Sequence, residues 1–351
     1  MNKKILFFGE LAPNIVHGGS LLNSLNINIL KKYYIVEEIE EQAILSQHQK
    51  RNFTKMINVF NYVKSIYILN QKYQYKYYYS VFAFSTFGSF KTLLCLFGFK
   101  ISGNGNTVLF IYRGDFFDFY KRSILNKIIC NIILRFTDKL VVMSKKQKKE
   151  LSCIVVDKRI FILGNSLSEE FVFDKRRYEA RRFVYISNYI KEKGIFELLE
   201  TFKNLKSKSD GLILECFGGF TSDQEKIKIL DYNSSKIKIN TFIGGAEKFK
   251  KINEADCLIL PSWNEGQPTV ILEAMSQGTI VLTTKVGLIG EMLGEDYPFY
   301  FDSKNMDSLE KCIEKFISYE NKAILAEKLK NNYRVNFSSI MHEKKLLMIF
   351  E

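Results

Sequence analysis

Short apolar runs alternate with amphipathic segments along the chain. The run from Lys4 to Gly9 (KILFFG) is apolar and ends in glycine, which is typical of a buried parallel strand. A loop containing two glycines follows, and from Ser20 to Leu30 leucine and isoleucine recur at helical spacing. Strand, loop and helix in this order predict the opening unit of a doubly wound α/β domain.

The same alternation continues in two series. In the first series we predict a helix over 121–136 and strands over 107–112, 139–144 and 159–165. In the second series we predict helices over 305–351 and strands over 182–187, 211–218, 236–244, 256–262, 278–284 and 298–302.

A polar, charged stretch separates the two series. It reads SLSEEFVFDKRRYEARR and places a domain boundary near residues 166–180. We therefore predict an α/β fold with a first domain over 1–168 and a second over 169–335. The C-terminal helix, 336–351, is expected to pack back on the first domain.

Length and composition suit two globular domains. The chain has 351 residues, of which 46% are hydrophobic and 25% charged. Six scattered cysteines and three histidines form no metal-ligand spacing and no Ser-His-Asp set, so we expect reduced thiols and no zinc site. The apolar run from Ile5 to Phe8 is too short for a signal peptide, which favours a cytoplasmic protein.

The net charge of +13 has two explanations: an anionic partner, or a codon bias towards Lys, Asn, Ile, Phe and Tyr. The bias does not explain the placement of charge. From Gln42 to Gly114 there is no Asp or Glu, but there are nine Lys or Arg and many aromatic residues. This pattern fits the surface of an anionic bilayer. Lys91 interrupts the apolar run from Ser80 to Phe99, which favours buried or interfacial helices over a membrane span.

The stretch NEGQPTVILEA, from Asn264 to Ala274, places two glutamates around a predicted helix start. Pro268 suits a first helical residue, and the helix from Thr269 would end before Gly278. Free amides near this start, with the helix dipole, favour a phosphate. Glu273 can accept hydrogen bonds from a ribose, and Glu265 can face a sugar. Spacing alone leaves open a capping residue and a solvated glutamate.

The longer run PSWNEGQPTVILEAMSQGTIVLTT resembles the E-x7-E signature of the retaining glycosyltransferases of family 4. FVYISNYIKEKGIFELLETF resembles the strand, Lys-Gly and helix segment of that family, and LECFGGF and INTFIGG resemble its next two strands and glycine turns. ILGNSLSEEF resembles its interdomain hinge. The resemblance covers most of the chain and is strongest from Phe183 to Leu293.

This resemblance implies the GT-B fold, with two Rossmann-like domains facing a central cleft, and a role for each matching residue. Glu273 would hold the ribose, Glu265 would contact the transferred sugar, and Lys193 would neutralise the diphosphate. The other implied contacts are Gly18 and Gly19 at the diphosphate, Phe242, Ile243 and Gly244 at the nucleobase, and Gly266, Gln267, Thr269 and Val270 around phosphate and sugar.

Two positions depart from the family pattern. Where members usually carry Arg, five residues before the Lys of Lys-Gly, this chain has Asn188. One cation of the diphosphate site would then be missing, or supplied by Lys191 or Arg113. Where members often carry His, this chain has Arg113, so that Arg113 and Asp115 are site candidates, with a structural role as the alternative.

We predict a glycosyltransferase of the hexosyltransferase type. It would move a sugar, with retention, from a UDP- or GDP-sugar bound by the second domain to a glycan or polyprenyl-linked acceptor bound by the first. No D-x-D motif occurs, so no metal and no other cofactor is expected. The acid-free span suggests lipopolysaccharide O-antigen or capsule assembly at the inner face of the cytoplasmic membrane. The alternatives are a non-catalytic GT-B subunit, a GT-B epimerase and a nucleic-acid binder, for which no motif is found.

Overall fold

The computed structural model describes residues 3–15, 17–41, 51–173, 179–205 and 211–351, with the backbone alone for 51–53. The chain divides into two compact units. Unit 1 contains Met1–Gly164 and His342–Glu351, and unit 2 contains Asn165–Met341. The division lies four residues before the expected boundary after residue 168.

Unit 1 is built on a parallel sheet of six strands in the order β2-β1-β3-β4-β5-β6. Its elements up to Gly164 are β1 (Lys4–Gly9), α1 (Gly18–Leu30), β2 (Ile35–Glu40), α2 (Arg51–Tyr73), β3 (Tyr77–Val81), α3 (Thr86–Ser102), β4 (Asn106–Ile111), α4 (Phe116–Lys121), α5 (Ile124–Phe136), β5 (Lys139–Val142), α6 (Lys145–Leu151) and β6 (Ile160–Ile162).

Unit 2 repeats this plan with a parallel sheet in the order β12-β11-β10-β7-β8-β9. Its elements are β7 (Arg182–Ile186), α7 (Ile195–Asn204), β8 (Ile213–Phe217), α8 (Asp223–Leu230), β9 (Ile237–Asn240), α9 (Gly245–Glu254), β10 (Cys257–Leu260), α10 (Thr269–Gln277), β11 (Ile280–Thr284), α11 (Ile289–Leu293), β12 (Tyr300–Phe301), α12 (Met306–Ser318) and α13 (Lys322–Asn336). The last helix, α14 (Ser339–Phe350), begins in unit 2 and continues in unit 1.

Side-chain alternation along β1 divides the core of unit 1 between the two faces of its sheet. Leu6 and Phe8 pack with residues of α2 and α3. Ile5 and Phe7 pack on the opposite face with residues of α1 and α14. The ring of Phe350, in α14, lies 5.3 Å from that of Tyr77. Residues 342–351 therefore cover part of the sheet of unit 1.

Two predicted elements differ in detail. The helix expected over 121–136 is interrupted, because the Ser123 side chain caps α5 by accepting a hydrogen bond from the Asn126 amide. The run from Ser80 to Phe99 begins in β3, and its helix begins only at Thr86. Within the described residues, none of the helices combines the length and hydropathy that crossing a bilayer requires. Residues 42–50 of the acid-free span lie outside the described part of the chain.

Candidate functional site

Two predicted site residues on neighbouring strands of unit 2 form an ion pair. Lys193 follows β7 and Glu265 follows β10, which are adjacent parallel strands. Lys193 Nζ lies 2.7 Å from Glu265 Oε1, and the Glu265 side chain is only 8% exposed. The pair stands at the carboxyl ends of the strands, where open α/β sheets bind ligands.

Two glycines position the loops that carry this pair. Gly194 has φ +69°, and a Cβ there would lie 2.2 Å from the carbonyl oxygen of Pro261. Gly287, after β11, has φ +59°, and its Cβ would lie 1.8 Å from the carbonyl oxygen of Glu265. Only glycine permits both the positive φ and this backbone contact. Sequence analysis missed Gly287 because its partner is distant in the chain.

The N-terminus of α10 has no side-chain cap. Pro268 is the N-cap residue, with φ −70° and ψ 123°, so the prediction that it is the first helical residue was wrong by one position. Ile271 N–H donates to the Pro268 carbonyl, and among the described residues nothing accepts from the amides of Thr269 and Val270. Apart from its two chain neighbours, no atom of the described residues lies within 4 Å of a Cβ built on Gly266. These open amides, with the helix dipole, favour an anion.

Gln267, in the same loop, forms hydrogen bonds with another residue of unit 2. Its Oε1 accepts a hydrogen bond from the Asn165 amide, and its carbonyl accepts one from Asn165 Nδ2 at 2.6 Å. The side-chain oxygen of Gln267 is therefore already hydrogen-bonded to Asn165, the first residue of unit 2. We expect any ligand contact of Gln267 to come from its backbone.

A second ion pair involves Glu273, in the middle of α10. Lys248 Nζ, on α9, lies 2.7 Å from Glu273 Oε1 and 2.6 Å from Oε2. Oε2 is buried, and its contact with Nζ lacks the direction of a hydrogen bond. Sequence analysis missed Lys248 because no local pattern joins it to a glutamate 25 residues away.

A cavity of about 150 Å³ opens beside this pair. It brings together four predicted residues: Phe242, Ile243, Gly244 and Glu273. The Phe242 ring is 73% exposed, so one face is free for a flat ligand. Sequence analysis did not single out the other lining residues, which are Leu167, Ser168, Glu169, Gly245, Lys248 and Phe249.

Asn188 and Lys191, the residues near the missing arginine, lie apart from that cavity. Asn188 is exposed after β7, and its Oδ1 would lie 3.3 Å from a Cβ built on Gly219. Lys191 Nζ lies 5.5 Å from the centre of the Trp263 ring. Asn188 therefore lies near the loop after β8 and Lys191 near the loop after β10, and the ion-pair partners of Glu265 and Glu273 are Lys193 and Lys248.

In unit 1, Gly18 and Gly19 open helix α1, so the expectation of a glycine loop was wrong. His17 caps this helix, because its Nδ1 accepts hydrogen bonds from the Gly19 and Ser20 amides at 3.1 and 3.3 Å. Its Nε2 lies 2.6 Å from Glu10 Oε2, which requires the proton to be on Nε2. The imidazole thus occupies the Gly19 amide, which was expected to approach a diphosphate.

A cavity of about 340 Å³ lies at the carboxyl ends of β1, β3 and β4. The chain reverses its direction across the sheet between β1 and β3, and such switch points are common ligand sites. The lining includes Gly19, Lys55 and Lys91. Lys91 is buried and pairs with Glu41, which also lines the cavity. Of the residues that line this cavity, Gly19 alone was predicted from the sequence as a site residue.

Arg113 and Asp115, also in unit 1, pair with each other. Arg113 Nε donates to Asp115 Oδ1 at 3.0 Å, and the guanidinium lies 4.9 Å from the centre of the Phe84 ring. Neither residue lines the 340 Å³ cavity. In the described part of the chain, no three His, Cys, Asp or Glu side chains form a group that could hold a metal ion.

Comparison with known proteins identifies part of the chain. Residues 168–335, just under half of it, match the model of the family "Glycosyl transferases group 1". This part of the chain is therefore similar to that family.

Curated relatives align with part of the chain, among them two bacterial glycosyltransferases. One is named for teichuronic acid biosynthesis, the glycosyltransferase TuaC of Bacillus subtilis, 23% identical over 58% of this chain and 51% of its own length. Another is the capsular polysaccharide biosynthesis glycosyltransferase CapM of Staphylococcus aureus, 26% identical over 51% of each chain. The alignments thus span about half the length of the curated relatives.

Solved structures resemble the whole chain. Sucrose-phosphate synthase from Thermosynechococcus elongatus superposes with a TM-score of 0.73 at 13% identity, covering 99% of this chain and 98% of that one. Alr3699/HepE of Anabaena, in complex with UDP and glucose, has a TM-score of 0.67 at 14% identity and covers 99% of both chains. The two parallel sheets and these similarities confirm the predicted fold class, α/β of the GT-B type.

Proposed function

We propose that the protein is a retaining glycosyltransferase of the hexosyltransferase type, using a UDP- or GDP-sugar as donor. The carrying observation is the uncapped N-terminus of α10, flanked by the Lys193–Glu265 and Lys248–Glu273 ion pairs. Open amides and a lysine suit a diphosphate, and carboxylates on either side suit the hydroxyl groups of two sugars. A nucleotide-sugar has this order of groups, since its diphosphate lies between the ribose and the transferred sugar.

The donor occupies unit 2 in this proposal. The nucleobase stacks on Phe242 in the 150 Å³ cavity, and Glu273 accepts hydrogen bonds from the ribose. Glu265 contacts the transferred sugar, while Lys193 and the α10 amides stabilise the charge that develops on the leaving diphosphate. No metal ion is required for this stabilisation.

The reaction keeps the anomeric configuration. The bond between the anomeric carbon and the donor phosphate oxygen breaks, and the acceptor oxygen bonds to the same face of that carbon. The proton of the acceptor hydroxyl goes to the departing phosphate oxygen, so no protein nucleophile takes part. Arg113, which the resemblance placed in the site, is expected to matter less because Asp115 already pairs with it.

The acceptor, a glycan or polyprenyl-linked sugar, occupies the 340 Å³ cavity of unit 1. The names of the relatives, which concern teichuronic acid and capsular polysaccharide, support a role in bacterial surface polysaccharide assembly, with O-antigen among the possible products. The acid-free span of unit 1 supports peripheral association with the inner face of the cytoplasmic membrane.

The test is calorimetry of the full chain with UDP, GDP, ADP and CMP. We expect one of the first two to bind at micromolar level and Glu273→Ala to abolish that binding. Glu327→Ala, which alters an exposed glutamate on another helix of unit 2, is the matched control. If Glu273→Ala and Glu327→Ala bind the nucleotide equally well, Glu273 does not contact the ribose. If the wild type binds none of the four nucleotides, the assignment of a nucleotide-sugar donor is wrong.

A non-catalytic GT-B subunit is the second candidate, favoured by Asn188 and Arg113 at positions where related enzymes differ. Incubation with UDP-sugars, followed by chromatography for released UDP, separates the two. Turnover by the chain alone that Glu265→Gln abolishes excludes the subunit. Binding without turnover supports it.

A further inference from the structure

Three helices of unit 1 form a layer that contains no carboxylate side chain. Helices α2, α3 and α5 have neither Asp nor Glu in their sequences. They pack against one face of the sheet, α2 and α3 over Leu6 and Phe8, and α3 and α5 over Leu109 and Ile111. The absence of Asp and Glu from this layer thus includes α5, which lies outside the acid-free span from Gln42 to Gly114.

The central helix of the layer is apolar on its outer side as well as its inner side. Phe87, Phe90, Leu94, Phe97 and Ile101 recur every three or four residues on α3, and all are exposed or half-buried. Such a stripe lies along one side of a helix. Burial against the sheet explains only Phe97, which packs partly against the core; the other core contacts of α3 come from Leu93, Cys95, Leu96 and Phe99.

The flanking helices continue this surface. On α2, Met56, Phe60, Lys64, Ile68 and Lys72 recur every fourth residue, and all five are exposed. Apolar side chains and two lysines thus share one ridge, with Phe60 exposed to 70%.

On α5 the corresponding ridge is Ile124, Ile128, Ile132 and Phe136, with Ile124 exposed to 80%. The ring of Phe136 lies 4.8 Å from that of Phe97, which joins the α5 ridge to the α3 stripe. We call the three ridges together the basic apolar face.

The charge of this face is uncompensated. Two lysines of the layer do have partners, since Lys91 pairs with Glu41 and Lys100 with Asp138. Among the described residues, no carboxylate lies within ion-pair distance of the outer cations, which are Lys64, Lys72, Lys127 and Arg135. A partner for this face must therefore accept both apolar side chains and several unpaired cations.

We propose that the basic apolar face docks on a lipid bilayer that carries anionic headgroups. The apolar side chains enter the interface while the lysines and arginine contact phosphates, the mode of helices that lie in the membrane plane. A second copy of the chain fits less well, because a two-fold contact would bring like cations together in a water-poor interface.

Docking also has a consequence for the acceptor, which rests on the proposed function. Lys55 and Phe87 line the 340 Å³ cavity and stand near the first turns of α2 and α3. The cavity therefore opens at the edge of the basic apolar face. A lipid-linked acceptor could enter it while its hydrocarbon chain stays in the bilayer.

The test is co-flotation of the full chain with two kinds of vesicle: phosphatidylcholine alone, and phosphatidylcholine mixed with phosphatidylglycerol. We expect stronger binding to the mixed vesicles, weakened by salt. Lys64→Gln combined with Lys72→Gln should weaken binding to mixed vesicles by about 25-fold, at roughly fivefold per cation. Phe60→Ser combined with Ile128→Ser should weaken binding to both kinds.

Matched controls come from α8 in unit 2, where Ile227 and Lys228 are exposed. Ile227→Ser and Lys228→Gln should bind vesicles like the wild type. Equal binding by face and control variants would overturn the proposal, as would a wild type that does not bind. A wild-type dimer that Phe60→Ser separates would assign the face to a second copy instead.

Calorimetry with UDP on the same preparations keeps this proposal separate from the proposed function. UDP binding without vesicle binding overturns the docking face alone. Vesicle binding without binding of any nucleoside diphosphate overturns the donor assignment alone. Because all altered side chains are exposed, we expect every variant to fold.

Discussion

Lys248 and Glu273 meet at two points, with Nζ 2.7 Å from Oε1 and 2.6 Å from Oε2. The carboxylate proposed to hold the ribose therefore has a cation of its own within unit 2. An ammonium group has three donors, so this contact leaves Lys248 able to bind a ligand as well. The pair would hold the Glu273 side chain in one orientation before a nucleotide arrives.

Lys248→Met should weaken UDP binding by about 1.5–3 kcal/mol, because a hydrogen bond to a charged group is worth about that much. Calorimetry measures the change, and Lys250→Met, at an exposed position of the same helix, is the control. Tighter binding by Lys248→Met would instead mean that the lysine competes with the ribose.

Lys193→Ala should weaken UDP binding by about 1.5–3 kcal/mol, the scale of a charge-assisted hydrogen bond. The loss should be confined to ligands with a diphosphate, so uridine should bind wild type and variant alike. Titration of both proteins with UDP and uridine makes the comparison. A similar loss for both ligands would indicate that the variant disturbs Glu265, its partner at 2.7 Å, instead of a phosphate contact.

Two glycines near Glu265 should respond differently to the same substitution. Gly287→Ala should lower the free energy of unfolding by about 2 kcal/mol or more, because its Cβ would meet the Glu265 carbonyl oxygen at 1.8 Å with φ at +59°. Gly266→Ala should leave stability nearly unchanged, since in the part of the chain that the structure describes no atom beyond its two chain neighbours lies within 4 Å of its Cβ. It should still weaken UDP binding by crowding the phosphate.

Urea unfolding and calorimetry on the two variants test this contrast. Loss of stability in Gly266→Ala, or a stable Gly287→Ala, would show that the loops after β10 and β11 are held in another way. Unchanged UDP binding by Gly266→Ala would place the phosphate elsewhere.

His342 in α14 should make folding sensitive to mild acid. Its Nε2 lies 2.7 Å from Asn26 Oδ1, and burial lowers its pKa from 6.5 to about 4. Between these values the unfolded chain binds more protons than the folded one, so stability is complete above about pH 6.5 and declines as the pH falls towards 4.

The decline should total at most about 3–4 kcal/mol, because each of the roughly 2.5 pKa units corresponds to about 1.36 kcal/mol. Urea unfolding of the wild type and His342→Gln at pH 7, 6 and 5 measures it. Glutamine can keep the hydrogen bond but does not titrate, so its stability should vary less over this range. Parallel curves for the two proteins would exclude His342 as the cause.

Local patterns predicted much of the fold because most strands here are short apolar runs that end in glycine or polar residues. β2 was not predicted: its sequence, IVEEIE, is only partly buried, as suits an edge strand. β3 was hidden in an aromatic run that also contains the start of a helix. The observed helix starts differ from the predicted ones where a single side chain caps the helix, as Ser123 caps α5 and His17 caps α1.

The site was predictable only where its residues are close in sequence. The spacing of Glu265, Gly266 and Glu273 indicated an anion site at a helix start. The partners Lys248 and Gly287 reach these residues through the sheet, and no spacing in a single sequence indicates such contacts. The acid-free span indicated a basic surface, but the inclusion of α5 depended on which helices share a layer.

The chain leaves unit 1 at Gly164 and returns to it at His342. On the ribosome, residues 342–351 appear only after all of unit 2. Until then the surface formed by Tyr77, Tyr79 and Phe110 lacks the cover of Leu346 and Phe350. The nascent first domain therefore stays incomplete and exposes apolar surface during most of translation, which is the period when chaperone binding protects such intermediates from aggregation.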